Sequence, residues 1–177
     1  FRNAVSAVEG IRREYPESEI FCDDLWDIVS IKASNEKYFS VNEDETITAS
    51  ADKVTEESLF KLIKWGEGCF NLFSEKYGKY AAYKDGTLKL SNDYIYDWFT
   101  AETLSFRNIS ENEYIIEDYL MHRRIILKES GNLSFADNLP VLPETTFAID
   151  VVSSGIERGK KLASQCDAVI FCAGNDP

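Results

Sequence analysis

The sequence predicts a mainly β fold: a β-trefoil of three pseudo-repeats, about four strands each, inserted between two helix-strand segments of an α/β sandwich. Three observations carry that expectation. Each end reads as a capped helix followed by a short apolar strand. The middle is a series of short, alternating, aromatic-rich runs separated by Asp, Gly, Asn and Ser clusters, and those runs recur three times at a spacing of about 40 residues.

The flanks come first. Ser6-Ala-Val-Glu9 and Ser154-Gly-Ile-Glu157 are capping boxes, in which hydroxyl and carboxylate satisfy the free amides of a helix start. The first helix carries Val5, Val8, Ile11 and Tyr15 on one stripe and stops at Pro16; the second carries Ile156, Gly159, Leu162, Ala163 and Cys166. A strand is expected after each, Glu19 to Cys22 and Ala168 to Ala173, the latter running into a Gly-Asn-Asp-Pro turn. Residues 1–22 and 153–177 thus read as one discontinuous α/β unit, and residues 23–152 as the insert.

Within the insert, "KYFSVNEDETITAS" (37–50), "KYAAYKDGTLKLSN" (79–92) and "RRIILKESGNLSFAD" (123–137) share a plan of strand, tight polar turn and strand. Their second strands place Ile47 and Ala49, Leu88 and Leu90, and Leu133 and Phe135 two apart. One element precedes each hairpin (27–34, 69–76, 114–121). Another follows (58–65, 97–104, 145–152), with Phe60, Phe99 and Phe147 in register. One such unit cannot bury its apolar face alone. Three around a pseudo-threefold axis close a barrel, leave few edges exposed and bring first and last strands together, which suits insertion into another domain.

The chain has 177 residues, 44% hydrophobic and 13% aromatic, enough for a packed core. Its formal charge is −12, and residues 23–152 contribute 13 basic against 24 acidic side chains. That balance disfavours nucleic acid and anionic membranes, which call for a basic stripe. No run approaches the roughly 20 apolar residues of a membrane span, and no signal peptide is recognisable, so a cytoplasmic location is expected. The only methionine is Met121, and the absence of an initiator suggests a piece of a longer polypeptide. The four cysteines, Cys22, Cys69, Cys166 and Cys172, form no C-x-x-C pair and read as reduced, buried thiols, with a disulfide from Cys22 to Cys166 or Cys172 as the alternative. The lone histidine, His122, and the lack of zinc or calcium-loop spacing argue against a metal site, and no cofactor motif is evident.

Gly10-Ile11, Asp167-Ala168 and Gly174-Asn175-Asp176-Pro177 resemble the carboxyl-terminal α/β sandwich domain of glycoside hydrolase family 3, the β-glucosidase and β-xylosidase family. The middle is similar to the fascin-like β-trefoils through Tyr77-Gly78-Lys79-Tyr80, Gly86 and Trp98-Phe99-Thr100-Ala101-Glu102, whereas the Gln-x-Trp of ricin-type lectins is missing. The resemblance implies a parent enzyme hydrolysing terminal β-linked sugars. Its nucleophile and its acid/base both lie outside this chain, which is therefore expected to be non-catalytic. The partners it implies are an oligosaccharide or small glycoside and the parent's barrel domain. The insert's implied roles are carbohydrate binding or substrate gating, with a structural or oligomerising module, such as a homodimer contact, as the alternative.

Sugars stack apolar CH faces on exposed aromatics and offer hydroxyls to carboxylates and amides. "SNDYIYDWF" (91–99) gathers Asn92, Asp93, Tyr94, Tyr96, Asp97 and Trp98, which makes it the candidate surface. The competing reading puts Tyr96 or Trp98 in the core, and places Trp26 and Trp65 at repeat junctions as packing.

Overall fold

The computed structural model describes residues 6–66, 68–95 and 100–171. Twelve strands dominate: β1 (Asp27–Ala33), β2 (Tyr38–Val41), β3 (Ile47–Ala51), β4 (Phe60–Gly66), β5 (Cys69–Ser74), β6 (Lys79–Lys84), β7 (Thr87–Leu90), β8 (Leu104–Ser110), β9 (Glu113–Asp118), β10 (Arg124–Leu127), β11 (Leu133–Ala136) and β12 (Phe147–Ser153). Helix α1 (Ala7–Glu14) precedes them and α2 (Gly155–Ala163) follows.

Antiparallel pairing closes a six-stranded ring, β1 to β4, β5, β8, β9, β12 and back to β1. The remaining strands form three hairpins, β2–β3, β6–β7 and β10–β11, each joined to the ring through its first strand. This is the β-trefoil arrangement that the three repeats imply.

The hairpins lock into a triangle by one hydrogen bond used three times. Leu90 donates its backbone N–H to the Glu45 carbonyl at 2.9 Å, Phe135 to the Gly86 carbonyl at 3.1 Å, and Ala49 to the Gly131 carbonyl at 2.8 Å. The three acceptors share a left-handed backbone, with φ of 65°, 80° and 82°, which turns each carbonyl toward the next hairpin. Two are glycines, for which that conformation carries no steric cost. A Cβ on Gly131 would also lie 2.9 Å from the Ala49 carbonyl oxygen, so the contact leaves no room for a side chain.

Alternation along the strands fills the interior. Phe39, Ile47, Leu88, Ile125 and Leu133 from the hairpins meet Val29, Phe60, Leu72, Leu104, Ile116 and Phe147 from the ring, and the Phe39 and Phe147 rings stand edge-on at 5.2 Å. Phe60 pairs with Val29, Leu104 with Phe70, and Phe147 with Tyr114. Leu104, not Phe99, therefore holds the second repeat's equivalent of Phe60 and Phe147. Phe99 itself lies outside the described residues. The misplacement came from aligning aromatics, when the place requires only a large apolar side chain.

The flanks correct the sequence reading. Both helices form, and Ser6 and Glu9 make the full reciprocal cap. Ser154 Oγ accepts the Glu157 N–H at 3.5 Å. The strands expected at Glu19 to Cys22 and Ala168 to Ala173 are absent among the described residues: 19–26 and 164–171 are neither helix nor strand. Phe21, Val169, Ile170 and Phe171 are at least half exposed, and α1 buries no residue. A strand of a parallel sheet needs neighbours and cover on both faces, and the described residues supply neither. There is no α/β sandwich of the family 3 glycoside hydrolase kind among the described residues, and that resemblance is withdrawn. The cysteine reading is corrected too: Cys69 is buried, but Cys22 is exposed and Cys166 intermediate, with Cys172 outside the described residues.

The segment that leads into β1, residues 23–27, instead meets the start of α2 at one end of the ring. Arg158 of α2 donates to Asp23 through Nε at 2.9 Å and Nη2 at 3.2 Å, to the Trp26 carbonyl at 2.8 Å, and to Ser153 O and Oγ at 3.1 and 3.2 Å. The Gly155 N–H reaches Asp27 Oδ1 at 3.0 Å. Gly155 sits so close to Leu25 that a Cβ would be 1.9 Å from its carbonyl oxygen.

Candidate binding surface

The segment after β7 is built into the second repeat by backbone bonds. Tyr80 N–H donates to the Asn92 carbonyl at 2.9 Å and Ser91 N–H to the Tyr80 carbonyl at 2.8 Å. Leaving the ladder at this point, Asn92, Asp93 and Tyr94 all become exposed, Tyr94 at 51%. Tyr96, Asp97 and Trp98, expected on the same surface, lie outside the described residues.

A polar network anchors this segment from beneath. Asn92 Nδ2 donates to Glu102 Oε1 at 3.1 Å, Asn71 Nδ2 donates to the Glu102 carbonyl at 2.8 Å, and Trp65 Nε1 donates to Asn71 Oδ1. Asn71 and Glu102 are buried, at 1% and 5% exposure, whereas Trp65 is half exposed. Burying a carboxyl and a carboxamide is costly unless their hydrogen bonds are made, and here each serves the other's segment.

Ring register shows how unusual this is. Glu102 lies two residues before Leu104, as Ser58 and Thr145 lie two before Phe60 and Phe147, and all three are buried. The first and third repeats fill that position with a small hydroxyl residue. Only the second fills it with a carboxyl group that reaches a surface segment.

Sequence reading found Asn92, Asp93 and Tyr94 but missed three contributors. Trp65 read as packing, although the register shifts between Lys64 and Gly66, at Trp65 itself, which is half exposed. Asn71 sits among apolar strand positions and Glu102 among many acids. A polar residue aligned with Ser58 and Thr145 was the available signal for Glu102.

A shared polar patch with exposed aromatics can hold a polyhydroxylated ligand through stacking and hydroxyl hydrogen bonds. No cluster of His, Cys, Asp and Glu suited to a metal occurs among the described residues.

No protein-family model matches this chain, and no curated protein matches its sequence. Solved structures share the fold. A designed threefold-symmetric protein, ThreeFoil, aligns with a TM-score of 0.59 at 9% identity over 69% of this chain and 96% of its own. SeviL, solved bound to the asialo-GM1 saccharide, aligns at 0.59 and 11% identity over 72% of this chain and 98% of its own. The GlcNAcα1-4Gal-releasing endo-β-galactosidase of Clostridium perfringens aligns at 0.62 and 10% identity, over 72% of this chain but 33% of that enzyme. These likenesses establish a β-trefoil-like fold whose neighbours include a saccharide-bound protein and a glycosidase.

Proposed function

We propose that this chain is a carbohydrate-binding module whose binding face is the second-repeat surface of Asn92, Asp93 and Tyr94, extended by Trp65. The observation that carries this reading is the hydrogen-bond network in which the buried Asn71 and Glu102 hold the exposed Trp65 and Asn92. The Asn92 amide and the Trp65 indole, each held by a hydrogen bond, suit a sugar, because less ordering entropy remains to be lost on binding. Asn92 and Asp93 supply hydroxyl partners, and Tyr94 and Trp65 supply stacking area. Tyr96, Asp97 and Trp98 extend the same proposal along the chain. The saccharide-bound fold neighbour supports the ligand class.

The test is binding to immobilised neutral oligosaccharides by the wild type, Tyr94→Ala and Trp65→Ala. Loss of one stacking ring weakens binding roughly tenfold, since aromatic contacts contribute about 1 kcal/mol beyond area burial. Equal binding by all three proteins would contradict the assignment.

A second reading, a protein-interaction module, is favoured by the exposed Val151, Val152 and Ile156 at the end of β12 and the start of α2. Concentration-dependent mass in light scattering, abolished by Val151→Ser with Val152→Ser, would support it.

A further inference from the structure

Residues 23–152 contain three arginines, Arg107, Arg123 and Arg124. Two of them line one cleft of about 390 Å³ together with Glu117, His122 and Asn138. The cleft lies where β8, β9 and the β10–β11 hairpin converge, away from the Asn92–Tyr94 segment in sequence and built from other elements.

Register makes the cleft an exception to the pseudo-symmetry. Lys32 stands opposite Tyr38, Phe73 opposite Tyr80, and Glu117 opposite Arg124. The second repeat therefore stacks Phe73 on Tyr80, at 4.8 Å between centroids, where the third has Arg124 Nε donating to Glu117 at 2.7 Å. Arg107, opposite Ile115, takes the position held by Ile63 opposite Asn71 and by Asp150 opposite Ser30. One of three equivalent places has exchanged apolar, aromatic and acidic side chains for two guanidinium groups.

Packing does not account for the exchange. Arg107 is exposed and forms no ion pair among the described residues, although 31 acidic residues make such pairs easy to acquire. Arg124, by contrast, is fixed by Glu117 and by the Leu139 carbonyl. The turn that presents His122 is equally braced: Asp118 accepts the Met121 and Arg123 N–H groups at 2.9 and 3.1 Å, and its carbonyl accepts that of His122 at 3.0 Å. A fixed guanidinium, an exposed one without an ion pair among the described residues, an amide and a carboxylate around one cleft offer charge and hydrogen bonds to an anion that also carries hydroxyls.

We infer that this cleft binds a carboxylate-bearing sugar, a uronate or similar acidic unit of an oligosaccharide. The ligand class rests on the carbohydrate-binding reading above. Arg107 takes the carboxylate through its planar fork, while Asn138 and Glu117 take ring hydroxyls.

The experiment is an NMR titration of the labelled protein with a glucuronate-terminated disaccharide, its glucose-terminated counterpart and sodium sulfate, repeated with Arg107→Gln. The inference expects the acidic disaccharide to shift the Arg107 Nε–H and Asn138 side-chain signals. It also expects affinity to fall roughly tenfold or more in Arg107→Gln, as for loss of a charged hydrogen bond. The neutral sugar should leave those signals in place. Shifts confined to Asn92–Tyr94 would overturn the cleft while sparing the proposed face. Shifts in the cleft with none at Asn92–Tyr94 from either sugar would sustain the cleft and overturn that face. Sulfate binding as tightly as the acidic disaccharide would overturn the sugar assignment. Because Arg107 is exposed and has no ion-pair partner among the described residues, its variant folds, and an unchanged affinity would count against the inference.

Discussion

Arg158 grips Asp23 with two hydrogen bonds, at 2.9 and 3.2 Å, across 135 positions of sequence. The same guanidinium also holds Trp26 and Ser153, so one side chain ties the segment leading into the ring's first strand to the end of its last. Arg158→Ala leaves Asp23 and two carbonyls without their donor. The pair is only partly shielded from water, so the expected cost is about 2 kcal/mol, or roughly 4–8 °C in melting temperature for a chain of this size. Thermal denaturation of the variant checks this, and Arg158→Lys should recover only part of the loss, because an ammonium cannot serve all these acceptors at once.

Acid sensitivity follows from the same junction. The Arg158 hydrogen bond holds the Asp23 carboxyl below the ordinary aspartate range. At Asp27 burial pushes upward, but the Gly155 N–H and Lys64 ammonium outweigh it and the net direction is also down. A folded-state value below the unfolded one stabilises above the unfolded pKa of about 4 and is lost as pH falls through the folded value. Stability should therefore be level at neutral pH and decline below about pH 4. Asp23→Asn should flatten that decline in denaturant melts taken from pH 6 to pH 2.

Gly131 and Gly86 separate backbone strain from steric closure. Both have positive φ, but a Cβ meets only open space at Gly86 and the Ala49 carbonyl at 2.9 Å at Gly131. Gly86→Ala should cost about 1 kcal/mol, the left-handed penalty alone. Gly131→Ala adds displacement of the hairpin triangle and should cost about 2 kcal/mol or more. Equal losses in urea melts would mean that the third hairpin is not held by its contact with the first.

Glu102 couples interior to surface. Glu102→Ala strands Asn92 Nδ2 and leaves a cavity where the carboxyl was, at an expected cost of about 1–3 kcal/mol. Glu102→Gln can still accept from Asn92 and should retain most of the stability. If the network positions the binding face, sugar affinity falls in the alanine variant and largely survives in the glutamine variant. Hydrogen exchange at residues 92–94 reports the loosening independently of ligand.

Much of this fold was legible because its physics is local and repeated. Alternating apolar pairs such as Leu88 with Leu90 marked the hairpins, and threefold recurrence of one plan implied closure. The tight polar turns were expected, but their left-handed positions at Gly86, Gly131 and Glu45 were not singled out. The flanks misled because an apolar run such as Ala168 to Ala173 has the composition of a buried strand whether or not neighbours cover it. Phe99 misled because aromatic identity stood in for register, whereas the pairing of Phe70 with Leu104 depends on contacts distant in sequence. The proposed binding face was half legible: Asn92, Asp93 and Tyr94 form a visible local cluster. Asn71 and Glu102 acquire meaning only when a strand and a turn 31 residues apart are brought together.

The central claim is that the second-repeat surface binds sugar, and the most direct test follows tyrosine ring and asparagine side-chain signals while neutral β-linked and galactose-containing oligosaccharides are titrated. The account predicts saturable shifts localised to Tyr94, Asn92 and the Trp65 indole N–H, weakened by Tyr94→Ala. Unchanged signals at those three residues with millimolar ligand would contradict it.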